Sequence, residues 1–354
     1  MLAMPGPRSR LPSRVLGPRV RYALIAAAAV VLAPAVQAEE AQSLLNSCWA
    51  PSALAGTPAE KTPRKGIHDF DKPQPVDLVG APPAESVLRG VVRRVTLPAG
   101  QKLIALTFDL CEQPGEVAGY DGGIVDYLRK EHVKATFFAG GKWLRSHEER
   151  ARQLMADPLF EIANHSEAHR NLRQLNGARL PDEILGPQRS YATIRTALSQ
   201  AQCAREHQDA MSRVPAAPTL FRFPYGACNG AAIDAVNKLG LTAIQWDLAT
   251  GDPAPTTSAN AIAQTMLHRA RPGSIVVSHA NGRGWHTAEG LALAIPKLRA
   301  KGFEFVTVSE LLAAGKPVVE QRCYDNHPGD TDRYDFILAH RTRQVGGWSA
   351  TIHQ

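Results

Sequence analysis

Leu103-Ile104-Ala105-Leu106-Thr107-Phe108-Asp109 is an apolar run that ends on an aspartate, and its reading decides the fold. A near-continuous apolar run of strand length belongs to a strand buried on both faces, as in a parallel sheet. Its terminal carboxylate then stands where the strand runs out into a loop. Two other stretches behave alike. Phe160–Asn164 is followed by His165 and His169, and Ile275-Val276-Val277-Ser278 ends on His279. Together they offer a base, a pair of metal ligands and an acid, a set suited to metal-assisted hydrolysis. Leu110, directly after the aspartate, is the residue out of place.

Working outward, apolar runs of strand length alternate with amphipathic stretches of helical length. Strands are expected at Leu103–Phe108, Ala135–Ala139, Phe160–Asn164, Leu220–Phe223, Thr242–Asp247, Ser274–Ser278 and Phe305–Val308. Helices are expected between them, for example over Gly123–Glu131, Asp182–Ser199, Ala259–Ala270 and Glu289–Ala300. This alternation predicts an α/β fold: a distorted or incomplete (β/α) barrel of about seven parallel strands, with a doubly wound sheet as the alternative. In a parallel barrel, chemistry gathers at the C-terminal strand ends. Asp109, His165, Arg222, Asp247 and His279 all fall at or just past such an end.

The chain has 354 residues and is 44% hydrophobic, ample for a core. Residues 1–38 read as a secretory signal: five arginines without an acid, an apolar stretch from Ala23 to Ala35, and cleavage after Val36-Gln37-Ala38. That apolar stretch is shorter than the roughly 20 residues of a membrane span. The expected location is therefore secreted or periplasmic, with no stable membrane span after cleavage. Removing the signal leaves 35 basic against 33 acidic residues, so the formal +7 is largely a targeting charge and poor evidence for nucleic-acid binding, and no nucleic-acid partner is expected. Residues 39–100 are rich in Pro and Ala and read as an arm or linker, 101–315 as the main domain, and 316–354 as a tail packing on it or mobile. The five cysteines suggest Cys111–Cys228 at the rim and Cys48–Cys323 between the terminal segments, with one left over.

His165 and His169 lie on one face if the chain turns into a helix there, which suits two nitrogens on one divalent ion. The plain alternative is a structural or surface pair. Arg222 sits inside the apolar Phe221-Arg222-Phe223 and needs a carboxylate, for which Asp109 is the natural partner. Pro224 and Gly226 shape an exit loop that can aim a backbone N–H at a developing oxyanion. His279 needs a carboxylate on its other nitrogen to serve as an acid, and Asp247 and Asp252 are available.

These motifs in this order resemble the polysaccharide deacetylase family, carbohydrate esterase family 4, with its NodB homology domain. The resemblance spans roughly residues 100–315 and runs Thr107-Phe108-Asp109, His165-Ser166-x-x-His169, Arg222-x-Pro224-Tyr225, Trp246 with nearby aspartates, and Val277-x-His279. It implies a NodB-like barrel and a divalent metal, Zn2+ with Co2+, Ni2+ or Mn2+ as alternatives. It also implies hydrolysis of acetamide carbon–nitrogen bonds on a glycan. Asp109 would be the base, Arg222 its orienter and His279 the acid, with the Tyr225 N–H stabilising the oxyanion. The family's first motif reads Thr-Phe-Asp-Asp-Gly, and its second aspartate is a metal ligand. Leu110 stands there, so the third ligand falls to Cys111 or Glu112, with Glu112 preferred if Cys111 is in a disulfide, because hard oxygen suits a water-activating site. In the fourth motif an aspartate and the tryptophan are missing, so Asp247 or Asp252 takes the partnering of His279. The expected substrate is an acetylated polysaccharide such as peptidoglycan, chitin-like oligomers or O-acetylated xylan. The alternatives are a degenerate glycan-binding domain or a hydrolase of another amide on the same scaffold.

Overall fold

The computed structural model describes residues 43–72 and 87–336. The expected signal segment lies outside them, as do residues 337–354 of the expected tail. The main sheet is built from β1 (Val91–Thr96), β2 (Leu103–Leu110), β3 (Ala135–Ala139), β4 (Phe160–Asn164), β5 (Leu220–Phe221), β6 (Thr242–Ile244), β7 (Leu248–Ala249), β8 (Ile275–His279), β9 (Glu304–Phe305) and β10 (Lys316–Glu320). Their order is β10-β1-β6-β5-β4-β3-β2-β8-β7, with β9 beside β2. All pair in parallel except β10, which runs antiparallel to β1. The incomplete, mostly parallel barrel expected from the sequence is what forms.

The sheet curls until β1 meets the lead-in to β8. The Val95 N–H donates to the Gly273 carbonyl at 2.9 Å, and Arg94 and Ser274 form a bridge. Gly273 is required here. Its φ is +84°, and a Cβ would stand 1.7 Å from the Val95 carbonyl oxygen.

Side chains along β2 alternate between two cores. Ala105 joins Phe138, Ala163, Ile244, Ile275 and Val277 in a cluster drawn from strands, Trp246 and the helix Val308–Ala314, which is the inside of the curl. Ile104, Leu106, Phe108 and Leu110 join a cluster that includes α1 (Gly122–Lys130), α2 (Gly141–Ser146), α3 (Glu148–Ala156) and α4 (Arg179–Gln200), which is the outside. This period of two assigns Thr107 and Asp109 to the inner face and Leu110 to the outer. Leu110 is an ordinary core residue, fully buried among helices.

Two strands lie where none was expected. β1 belongs to the segment read as an arm, and β10 to the segment read as a tail, so the sheet reaches beyond residues 101–315 at both ends. Described residues on either side of the sheet are also tied to the domain. Arg150 of α3 donates to the carbonyls of Ala53, Leu54 and Ala55 and to Glu60. Beyond β10, Arg93 donates to the carbonyls of Tyr324 and Asp325.

The disulfides differ from both expected pairings. They are Cys48–Cys203 and Cys228–Cys323. Cys228 leaves its exit loop toward the segment beyond β10, where it shares a core with Cys323, rather than toward Cys111. Cys111 is free and buried.

Candidate active site

Five functional side chains converge at the C-terminal ends of adjacent strands. Asp109 (β2) and His279 (β8) are paired in register, and His165 and Arg222 directly follow the last residues of β4 and β5. Asp252 lies three residues beyond β7.

Arg222 is fully buried, and its Nη1 donates to Asp109 Oδ1 and to the Thr107 hydroxyl, both at 2.8 Å. Its guanidinium lies over the Phe138 ring at 3.9 Å. Burial alone would raise the Asp109 pKa, but the positive charge around it, of which the Arg222 guanidinium is the permanent part, outweighs it and holds the carboxyl below its usual range. Asp109 is therefore an ionised carboxylate, with Oδ1 committed to Arg222 and Oδ2 facing His165 Nε2 at 3.4 Å.

The His165–His169 stretch is not helical. It is a loop in which Ser166 and His169 take left-handed backbone conformations, φ 63° and 53°. The rings nevertheless converge, with centroids 5.0 Å apart. His165 Nδ1 donates to the Arg222 carbonyl at 3.0 Å, which leaves Nε2 with its lone pair. His165 Nε2 and His169 Nδ1 are both buried without a hydrogen-bond partner. Burial pushes both pKa values down, that of His169 well below the ordinary value, so both rings are neutral. Two neutral, buried imidazoles with unpartnered nitrogens fit a divalent ion.

At the third position the structure brings in a different residue from the preferred Glu112. Among the described residues, one group is arranged to hold a metal: Cys111, His165 and His169, whose ligand atoms all lie within 4.8 Å of one another. Glu112 is not part of it. Its Oε2 accepts from the Ala118 N–H at 2.9 Å and the Ser146 hydroxyl at 2.8 Å, beside Lys142. Carrying the alternation past the end of the strand at Leu110 puts Cys111 in step with Asp109 and Glu112 in step with Leu110.

His279 Nδ1 bonds Asp252 Oδ1 at 3.0 Å, and the His279 N–H donates to Oδ2 at 2.7 Å. The Thr287 hydroxyl also donates to Oδ2. Burial lowers the His279 pKa, but Asp252 outweighs it and raises the net value, which favours a proton on the ring. Asp247, the other expected partner, is absent from the site. It sits at the opposite end of β8, where its carboxylate accepts from Arg271, Ser274 and the Ile275 N–H. Tyr225 takes φ 60° in the turn after Pro224, and its ring packs on His169 with centroids 4.4 Å apart. Thr107 and Asn281 were not singled out from the sequence. The buried Asn281 donates to the Cys111 carbonyl at 2.8 Å and its Sγ at 3.0 Å. Thr107 was discoverable, because it shares the inner parity of Asp109.

Comparison with known proteins follows the same lines. Residues 96–244 match the family model described as polysaccharide deacetylase. The chain is 29% identical over 226 residues to a chitooligosaccharide deacetylase of Bradyrhizobium, covering 60% of this chain and 92% of that one. It is 27% identical over 254 residues to the peptidoglycan-N-acetylglucosamine deacetylase PgdA of Listeria monocytogenes, covering 67% of this chain but 48% of that protein, about half its length. In structure it resembles the Bc1960 peptidoglycan N-acetylglucosamine deacetylase, with a TM-score of 0.53 at 23% identity over 64% of this chain and 94% of the other, a likeness of fold.

Proposed function

We propose that this chain, which carries a polysaccharide deacetylase domain, is an exported, metal-dependent hydrolase that removes N-acetyl groups from a glycan. The observation that carries the reading is a division of labour across one rim. A carboxylate held by Arg222 lies in register with a histidine whose pKa Asp252 raises, and of two buried, unpartnered imidazole nitrogens that of His165 lies 3.4 Å from the carboxylate. An acetamide is a poor electrophile with a poor leaving group, and needs a base, an acid and carbonyl polarisation together.

His165 and His169 are the pair that would hold the cation. A divalent ion there would supply Lewis-acid polarisation and a more acidic water. Asp109 accepts the proton of the attacking water at Oδ2, the oxygen not committed to Arg222. Arg222 fixes the direction of that carboxylate and excludes the protonated form. His279 delivers a proton from Nε2 to the departing amine nitrogen, while Asp252 on Nδ1 fixes the ring. The Tyr225 N–H, set by its left-handed turn, is the donor for the developing oxyanion.

Export is supported by the two disulfides, which belong in an oxidising compartment, and by the amino-terminal sequence. No described helix is long and apolar enough to cross a membrane. The relatives' names support peptidoglycan or chitin-like oligomers as substrate. The test is acetate release from peptidoglycan, chitin oligomers and acetylated xylan, before and after chelation and metal restoration. Release from an N-acetylated polymer, abolished by Asp109→Asn, supports the reading. Leu110 in place of the family's aspartate favours a second reading, a glycan-binding domain without catalysis. Saturable glycan binding with no acetate released from any of the three would establish that one instead.

A further inference from the structure

We infer that the third protein ligand at this site is the thiolate of Cys111, which makes the centre a mixed sulfur–nitrogen site that selects Zn2+ or Co2+ over Mn2+ and Mg2+. The inference rests on the metal-dependent reading above and deepens it.

Three independent observations converge. The first is position: Cys111 Sγ and a ring nitrogen from each of His165 and His169 lie within 4.8 Å of one another. The second is availability. The other four cysteines are spent in disulfides, and His165 and His169 each keep a buried ring nitrogen without a hydrogen-bond partner. A cysteine serving only as apolar filler has no need of such neighbours. The third is support: the Asn281 amide donates to Cys111 Sγ at 3.0 Å and to its carbonyl at 2.8 Å, so an N–H already points at the sulfur. Donors of this kind orient a ligating atom and stabilise its charge.

The other candidates stand elsewhere. Leu110 has no ligating atom and is in the outer core, and Glu112 lies outside the cluster, its Oε2 accepting from the Ala118 N–H and the Ser146 hydroxyl and its Oε1 3.8 Å from Lys142 Nζ. On coordination the Cys111 S–H bond breaks, its proton leaves to solvent, and the electron pair forms the sulfur–metal bond. Thiolate is a soft ligand, and imidazole suits Zn2+ and Co2+, whereas Mn2+ and Mg2+ prefer all-oxygen sites. A carboxylate at this position would give a harder centre with a broader choice of ions.

The experiment titrates metal-free wild-type protein, disulfides intact, with Co2+ and reads its absorption spectrum. The expected result is a near-ultraviolet thiolate-to-cobalt charge-transfer band at one equivalent, displaced by Zn2+ but not by excess Mg2+ or Mn2+. Cys111→Ser should lose the band. Cys111→Asp should also lose it but keep Co2+ bound, and should let Mn2+ compete. Far-ultraviolet circular dichroism checks that each variant is folded, and the wild-type spectrum stands without them. Stoichiometric Co2+ binding with no thiolate band overturns the assignment of Cys111 and leaves a histidine-held metal in place. Failure of the wild type to bind Co2+ at all overturns both this assignment and the metal-dependent reading.

Discussion

Replacing Arg222 with methionine should destabilise the protein far more than loss of one surface charge would. Arg222 is fully buried, with Nη1 on Asp109 and Thr107 at 2.8 Å each and its guanidinium stacked on Phe138 at 3.9 Å. Methionine keeps the stem's packing and removes the cation. Asp109 would then remain buried on the inner face with only His165 and His279 as partners. Removing one member of a buried pair costs about 3–5 kcal/mol, mostly from the uncompensated charge left behind. With a urea slope near 3 kcal/mol per molar, the midpoint should fall by about 1–1.7 M. The Asp109→Asn/Arg222→Met double variant removes both charges and should recover much of that loss, giving a coupling energy of about 2–3 kcal/mol. Urea unfolding followed by tryptophan fluorescence measures all four proteins, with Trp143 and Trp246 buried as reporters. Acetate release should be lost in Asp109→Asn and in the double variant whatever their stability. A midpoint for Arg222→Met within about 0.5 kcal/mol of wild type, the range of neutral surface changes, would refute the argument. So would strict additivity in the double variant.

Three further outcomes are expected. Gly273→Ala drives a Cβ into the Val95 carbonyl at the barrel closure and should abolish soluble expression or lower Tm sharply; Gly100→Ala, at a similar φ of +87° with open space around it, should be far milder. Asp252→Asn removes the charge that raises the His279 pKa, so the alkaline limb of the kcat/KM profile should move to lower pH; an unmoved limb would remove His279 as the acid. Burial opposes ionisation of Glu60, but its bonds from Arg150 and Thr57 prevail and hold its pKa at about 2. A depressed carboxyl stabilises the fold above its ordinary value near 4.5, and that stability is lost as pH falls toward 2. The Tm gap between wild type and Glu60→Gln should therefore narrow over that window, and a constant gap would contradict the assignment.

The parallel core was legible because β2, β3 and β8 are buried on both faces and read as continuous apolar runs. β1 was not, because Arg93 and Arg94 interrupt Val91, Val92 and Val95. Arg93 is accommodated by the carbonyls of Tyr324 and Asp325 and by the Tyr324 ring, more than two hundred residues away in the chain. β10 was hidden by Pro317, which belongs on an edge strand, and β10 is one. At the site, residue types were readable but their directions were not. The two histidines meet through left-handed loop residues, a conformation that a four-residue spacing does not encode. Glu112 was the chemically attractive ligand, yet carrying the alternation of β2 past its end favours Cys111. Asp247 shares a strand-like spacing with the missing aspartate but lies at the Ile275 level of β8, four residues below His279.

The antiparallel pairing of β1 with β10 sets Val91 directly opposite Glu320. The sheet therefore begins and ends at one place, like a bracelet with a clasp. The chain does not stop at the clasp: described segments on both sides of it are bound back to the barrel by Cys48–Cys203 and Cys228–Cys323, so residues 91–320 cannot be cut out without severing both ties. The clasp stands level with the chemistry, because Val91 pairs with Ala243, Ala243 with Phe221 and Phe221 with Asn164, and the last two directly precede Arg222 and His165.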